Sequence, residues 1–295
     1  MRLEVSNMRI PNAASLFDNK KMINFTTKNE YIKYYGRLEG EIVKVSETTL
    51  DNLVYARRII KNTQSLLKFG AGNQCCDILN TKGESFLRAN YAMAKGGDSI
   101  VSHAKMCIQT QSANCSGHAD VSYCLIDKNE VSLPVGRATS DVSDHAFIVI
   151  GDPRDSSHEP VVVDAWASLA TPFMLKNADE KFINDNPTIK EWLHDGPRPI
   201  KNEPVTTIPL KEIERFFERL GVPPVGRKLC SYLMRDFDNN NFTYDRLTIL
   251  KNPKVNYLSK STQKRIAGDE VEDALYKCKI SGYKKSLKLR GKYGI

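Results

Sequence analysis

Two short, almost wholly apolar segments on either side of a strong turn signal constrain the fold most. A-F-I-V-I follows His145 and V-V-V precedes Asp164, while the stretch between them, G-D-P-R-D-S-S-H-E-P, is rich in turn-forming residues. Continuous apolar runs of this length indicate strands that are buried on both faces. If they form a hairpin folded about residue 155, His145 and Asp164 lie together at its open end.

Helical periodicity precedes this hairpin, and the change of period indicates an α+β protein. Asn114 and Ser116 are good capping residues, so one helix is expected to begin at Cys115 or just after it. Gly70-Ala71-Gly72 and Gly96-Gly97 are expected to end two earlier helices. The predicted helices cover residues 48–69, 77–95 and 115–126, and a further strand is predicted at 131–135.

The region beyond the sheet is predicted to be mainly helical. Four prolines between residues 197 and 209 indicate an extended connector. After it, L-K-E-I-E-R-F-F-E-R-L-G predicts an amphipathic helix with Ile213, Phe217 and Leu220 on one face. The predicted organisation is a partly ordered N-terminal segment (1–45), a catalytic core (46–195) and a helical C-terminal region (196–295) that ends in a basic tail.

The net charge of +8 does not indicate nucleic-acid binding. Seven basic residues and no acid lie between Lys277 and Lys292, which leaves the rest of the chain close to neutral. No helix-turn-helix, RNP-type or zinc-finger pattern accompanies them. A solvated terminus is the favoured interpretation of the tail, and a peripheral contact with an anionic membrane is the alternative. A monomer is expected.

The cysteines indicate reduced thiols in a chain without metal or cofactor. Their number, 7, is odd, and no C-x-x-C pair suggests a structural zinc site. The segment 236–245 resembles a calcium loop, but Asn241 stands where an EF-hand needs glycine and Leu247 where it needs glutamate. An Asn-rich turn is the favoured interpretation there.

Cys115 is the candidate nucleophile. A thiol at a helix N-terminus lies next to unpaired backbone N–H groups, which lower its pKa and can also stabilise an oxyanion. Cys75 is the rival, because G-A-G-N-Q-C-C also puts a cysteine between a glycine-rich turn and a helix. Cys107 and Cys124 lie in apolar surroundings that are typical of structural thiols.

His145 and Asp164 are the candidate partners of the nucleophile. An imidazole at the mouth of an apolar strand is costly unless it has a polar partner. Asp164 could hold the imidazole in the required tautomer, with Trp166 as a cover that excludes water. A strand-end turn is the alternative role for Asp164. The other histidines, including His118 on the helix of Cys115, are interpreted as structural.

An oxyanion donor is the least specific prediction. Gln109 precedes Cys115 by six residues and could supply a side-chain N–H to the oxyanion. Gln111 and Asn114 compete for this role.

These residues together resemble the papain-like thiol hydrolases. A cysteine that opens a helix, a histidine that begins a strand and an acid followed by x-Trp form their pattern, and Asp164-Ala165-Trp166 is similar to their Asn-x-Trp. Gln109 matches the spacing of their oxyanion glutamine. The short separations are similar to bacterial effector and toxin domains, namely type III secreted effectors of the AvrPphE kind and glutamine-deamidating toxins related to Pasteurella multocida toxin. The resemblance covers about residues 70–175.

The resemblance implies a compact papain-like core, with the nucleophile helix packed on a small antiparallel sheet. It implies a bacterial effector that a secretion machine delivers, without a signal peptide, into the host cytoplasm, with segment 1–45 serving delivery. A cysteine protease acting on a host protein is the first expectation. A protein-glutamine deamidase or transglutaminase would use the same triad and thioester. A non-catalytic effector that binds a host protein or membrane is the alternative of another class.

Overall fold

The computed structural model describes residues 41–140, 144–167, 170–178, 183, 187–192, 206–235, 255–262 and 265–266. Within these ranges, helices precede an antiparallel five-stranded sheet, which confirms the α+β class. The sheet has the order β5-β4-β3-β2-β6. Its strands are β2 (Val135–Ser140), β3 (His145–Ile150), β4 (Val161–Val163), β5 (Phe173–Met174) and β6 (Thr188–Trp192).

The helices that precede the sheet have clear sequence limits. Ser46 caps the first of them through a hydrogen bond from Thr49 N to its Oγ, and Asn114 caps the helix of Cys115 in the same way. They are α1 (Glu47–Leu66), α2 (Cys75–Asn80), α3 (Glu84–Lys95), α4 (Ile100–Thr110) and α5 (Cys115–Leu125). The main core lies between the sheet, α1 and α5.

The predicted hairpin is formed by β3 and β4. Ile148 pairs with Val163, and Ile150 pairs with Val161, in antiparallel register. Every residue of both strands is buried, as the unbroken apolar pattern predicts. Because the strands pair in this register, His145 at the start of β3 lies level with the residues just beyond β4, where Asp164 is placed.

A tight turn joins α4 to α5 and sets the position of Cys115. Gln111 ends α4 with a left-handed backbone (φ 61°), which is uncommon for a residue with a side chain. Phe69 N then donates to Gln111 O, and Gly72 N donates to Ala113 O at 3.0 Å. The segment just before Cys115 is thus fixed by the loop that follows α1.

Several local predictions were wrong in their limits. The helix predicted over 77–95 is two helices, because Gly83 adopts a left-handed backbone (φ 91°) that ends regular helix geometry. Helix α4 was not predicted. The strand predicted at 131–135 begins instead at Val135, since residues 128–130 form a short 3-10 turn.

The C-terminal region contains both helices and strands. Helices α6 (Leu210–Glu218) and α7 (Arg227–Arg235) pack on α3, with Ile213 and Phe217 buried, but Leu220 is 64% exposed and does not share their face. Strand β7 (Val255–Ser259) pairs in parallel with β1 (Glu41–Val45) and antiparallel with β8 (Arg265–Ile266). The described part of region 196–295 therefore contains strands as well as the predicted helices. The segment 1–45, which was predicted to be partly ordered, ends in a regular strand.

Strand β7 shows the alternation of burial that is typical of a strand with one face toward the core. Val255, Tyr257 and Ser259 are buried, while the residues between them are half-buried.

The three-part division of the chain stays a prediction. The calcium-like segment 236–245 and the basic tail lie outside the described residues. None of the helices in the described part of the chain is both long and apolar enough to span a membrane.

We predict that Gly117→Ala destabilises the fold. Gly117 lies in the first turn of α5, where an added Cβ would come within 2.6 Å of Ala113 Cβ and 2.7 Å of Cys107 Sγ. Overpacking of a buried helix contact costs about 1 to 3 kcal/mol, more than the helix propensity that alanine gains. Urea denaturation of the two proteins measures the difference. Equal or greater stability of Gly117→Ala would contradict this packing.

Candidate active site

Cys115 occupies the first position of α5, with its thiol at the edge of the sheet. The side chain is 9% exposed, and Sγ lies 3.7 Å from the carbonyl oxygen of Asp144, the residue that precedes β3. The capping bond from Gly117 N to Asn114 Oδ1 satisfies one N–H group of the first turn of α5, whereas the N–H groups of Cys115 and Ser116 have no acceptor within the helix. The sulfur therefore lies where a helix N-terminus favours negative charge.

His145 and Asp164 form a buried, directly hydrogen-bonded pair. The distance from His145 Nε2 to Asp164 Oδ2 is 2.5 Å, and both side chains are 2% exposed. The other carboxylate oxygen accepts a bond from Trp166 N at 2.9 Å. Because both oxygens are engaged, the carboxylate is fixed and holds the imidazole through Nε2. The nitrogen that remains for Cys115 is Nδ1.

The environment of His145 favours the imidazolium form. Burial alone lowers its pKa, but the charge and hydrogen bond of Asp164 more than offset burial, and Cys115 adds to the effect, so that the pKa of His145 rises to about 10. Nδ1 is buried and makes no hydrogen bond within the described residues. The sulfur of Cys115 is thus a close neighbour of the ring without an aligned hydrogen bond.

The raised pKa of His145 links the protonation of this ring to folding. An imidazole with a raised pKa binds its proton more tightly in the folded than in the unfolded chain. Its contribution to stability is fully present below its ordinary pKa of 6.5 and is lost as the pH rises through the folded-state value of about 10.

Trp166 covers the pair, and an amide pair missed by the sequence analysis holds it. The indole ring lies 4.8 Å from the imidazole of His145 and is 2% exposed. Its Nε1–H donates to Asn73 Oδ1 at 2.8 Å, and Gln74 Nε2 donates to the carbonyl of Trp166. An indole nitrogen can only donate, so this bond assigns the oxygen of the Asn73 amide and leaves its NH₂ group as a donor.

Asn73 and Gln74 connect the segment before Cys115 with the segment after Asp164. They follow Gly72, whose N–H is bonded to Ala113 two residues before Cys115, and they contact Trp166 two residues after Asp164. The signal for them was present in G-A-G-N-Q, a glycine-rich turn with two adjacent amides. The sequence analysis used that stretch as a helix end and as the context of Cys75, and it assigned no role to the two amides.

The described contacts of the predicted oxyanion residues Gln109, Gln111 and Asn114 are with other parts of the fold. Gln109 lies near the end of α4, and its carbonyl accepts from Ile208 N on the side of α6. Asn114 uses Oδ1 to cap α5 and Nδ2 to contact Met93 Sδ at 3.3 Å. Within the described contacts, Gln111 takes part through its backbone, as the end of α4. Gln109 as oxyanion donor stays an untested prediction.

The remaining candidates have structural surroundings. His118 is buried, its Nδ1 lies 2.8 Å from Asn114 O, and burial lowers its pKa to about 4, so its ring is neutral at physiological pH. Cys107 is fully buried and burial raises the pKa of its thiol far above the usual range. Cys75 begins α2, a position like that of Cys115, but its side chain lies outside what the structure describes.

Neither a metal site nor a relative identifies the chain. Within the described ranges, no group of three His, Cys, Asp or Glu side chains could hold a metal ion. In comparisons with protein-family models, curated proteins and solved structures, nothing matches the chain. Its function is therefore inferred from the chemistry of the site alone.

We predict that Asp164→Asn lowers the pKa of His145 steeply. With the carboxylate removed, burial dominates and disfavours the charged ring. NMR titration of the imidazole signals should show His145 charged at pH 7 to 8 in the original protein and neutral in the variant.

Asp155→Asn is the matched control for that titration. Asp155 is an exposed acid 3.6 Å from His158, so its loss should leave His145 unchanged. A charged His145 in Asp164→Asn would show that Asp164 is not what sets its protonation.

We predict that Asn73→Ala destabilises the cover of the site. The buried indole N–H of Trp166 would lose its acceptor, which costs about 1 kcal/mol or more. Asn62→Ala, an exposed position on α1, is the control and should be nearly neutral. Denaturation curves followed by tryptophan fluorescence measure both. Equal curves for the two variants would mean that the Asn73 bond contributes nothing.

Proposed function

We propose that the protein is a papain-like cysteine hydrolase of the bacterial effector type, which attacks an amide of a host protein as a cysteine protease. The observation that carries the proposal is the buried 2.5 Å bond between His145 Nε2 and Asp164 Oδ2, with the thiol of Cys115 beside the same ring. A strand-end turn would not require an acid and an imidazole to be paired and buried next to a helix-terminal thiol.

In the proposed mechanism, Cys115 is the nucleophile and His145 carries the protons. The proton of Cys115 passes to Nδ1 of His145, which produces a thiolate paired with an imidazolium. The thiolate attacks the substrate carbonyl, and the backbone N–H groups at the start of α5 stabilise the resulting oxyanion. His145 then protonates the leaving amine as the thioester forms. Water, deprotonated by the neutral His145, hydrolyses the thioester and restores the thiol.

The two supporting residues act through His145. Asp164 holds the ring so that Nδ1 faces the sulfur and favours the imidazolium. Trp166 excludes water from this bond, and Asn73 fixes Trp166. Gln109 remains the oxyanion donor predicted from the sequence, and the amide NH₂ of Asn73 is an alternative donor for the same role.

We predict that Cys115→Ala and His145→Ala each abolish activity, whereas Asp164→Asn leaves a small residue of it. Members of such a unit act together, so losing one removes nearly the whole effect, while an isosteric amide retains part of the ring's orientation. Mass spectrometry of host lysate treated with each variant measures the products. New peptide termini that require Cys115 are expected.

The same measurement separates the alternatives. A mass increase of about one unit at glutamine would replace protease by deamidase, and a crosslink would replace it by transglutaminase. Cys75→Ala is the comparison variant and should stay active. Full activity of Cys115→Ala with loss in Cys75→Ala would move the nucleophile to Cys75. If neither the original protein nor any variant forms a product, and lysate proteins bind to the original protein, the non-catalytic class would be favoured.

A further inference from the structure

A pocket of about 430 Å³ lies beside the first turn of α5. Asn114 and Ser116, the residues on either side of Cys115, both contribute to its wall. Because consecutive Cα atoms are only about 3.8 Å apart, the pocket begins within one residue of the proposed nucleophile. A polypeptide whose amide is held at the thiol can therefore place a neighbouring side chain in it.

The charges at the base of the pocket neutralise one another. Arg137 donates from Nε to Asp120 Oδ1 at 2.5 Å and from Nη2 to Ser116 Oγ at 2.7 Å. The second oxygen of Asp120 lies 2.6 Å from His103 Nδ1. The side chains of Arg137 and Asp120 are 14% and 4% exposed. Both oxygens of Asp120 are thus occupied, and the charge of Arg137 is balanced before any ligand enters.

The base is rigid as well as neutral. The register of β2 with β6 shifts between Arg137 and Ala138, an irregularity of the kind that redirects a side chain from a strand. Arg137 consequently ties the sheet to α5 at Ser116 and Asp120. An ion pair as buried as this one does not readily exchange its partner for a ligand.

The rim of the pocket is acidic and apolar. Asp98 is exposed and forms no ion pair or hydrogen bond within the described part of the chain. Met93, which is 56% exposed, and the half-buried Ile100 provide apolar walls. A side chain with an aliphatic stem and a cationic end matches this combination, because the stem covers the apolar walls while the charge stays near the carboxylate.

We propose that this pocket binds a lysine or arginine side chain of the polypeptide substrate, next to the amide that Cys115 attacks, and that Asp98 selects it. The proposal depends on the proposed function, since it describes the substrate of the same site. Met93 and Ile100 hold the aliphatic stem, and Asp98 pairs with the ammonium or guanidinium group at the mouth.

Three alkylating probes with arms of similar length and with positive, zero or negative charge test the pocket directly. They are chloroacetamides with an aminobutyl, a pentyl or a carboxypropyl arm on the amide nitrogen. In each reaction the thiolate of Cys115 displaces chloride and forms a thioether, which intact-protein mass spectrometry detects. Rates are divided by those with free cysteine, and Cys115→Ala identifies alkylation at other thiols.

We expect the aminobutyl probe to alkylate Cys115 about twofold to fivefold faster than the pentyl probe at low salt, the range for an exposed ion pair. The ratio should fall toward one in Asp98→Asn and in high salt. Asp98→Lys should reverse the order in favour of the carboxypropyl probe. Asp51→Asn, an exposed acid on α1, is the matched control and should leave the ratio unchanged.

The outcomes distinguish the two proposals. Alkylation of Cys115 at equal normalised rates by all three probes, or a preference that survives Asp98→Asn, would overturn the assignment of the pocket while leaving the nucleophile intact. Faster reaction of the carboxypropyl probe would assign the pocket to an anion through Arg137 instead. A Cys115 that none of the probes alkylates at the rate of free cysteine would contradict the proposed function and the pocket together.

Discussion

The register between β3 and β4 is the constraint on which the site depends. Strand side chains alternate with a period of two, so a slip of one residue would turn His145 or Asp164 to the opposite face and separate the pair. The register is held by strands buried on both faces, where any slip would also misplace several apolar side chains. The buried bond between the imidazole and the carboxylate is therefore a product of core packing. The position of this pair follows from a hydrophobic pattern that contains neither residue.

Local sequence signals correctly predicted the elements that carry Cys115, His145 and Asp164. The hairpin, the cap at Asn114 and the start of α5 at Cys115 each depend on a few adjacent residues, so propensity and periodicity were sufficient. Features that depend on distant contacts were missed. Asn73 acquires its partner only when the loop after α1 reaches Trp166. Leu220 was assigned to an amphipathic face because the apolar spacing continues to it, but the helix ends at Glu218.

Two different sets of contacts hold the candidate site in place. On one side, the backbone of the loop after α1 pairs with the turn before Cys115, and its amides hold Trp166 over the imidazole. On the other side, Arg137 connects β2 to the first and second turns of α5 through Ser116 and Asp120. The thiol is therefore positioned by a helix that is attached to the sheet independently of the hairpin. Two separate supports thus fix the positions of Cys115 and His145, which is the precision that the proposed proton transfer between them would require.

The parallel pairing of β1 with β7 has a consequence for how the chain is made. Residues 41–45 find their partner only at residues 255–259, so most of the polypeptide must be synthesised before this small sheet can form. Contacts between such distant positions are slow to form because a long loop has to close first. Helix α1 packs both on β4 of the five-stranded sheet and on β7 and β8. A ribosome-bound chain that has already paired His145 with Asp164 thus still lacks the packing of β7 and β8 on α1, and among the described elements these two late strands complete the packing of an early helix.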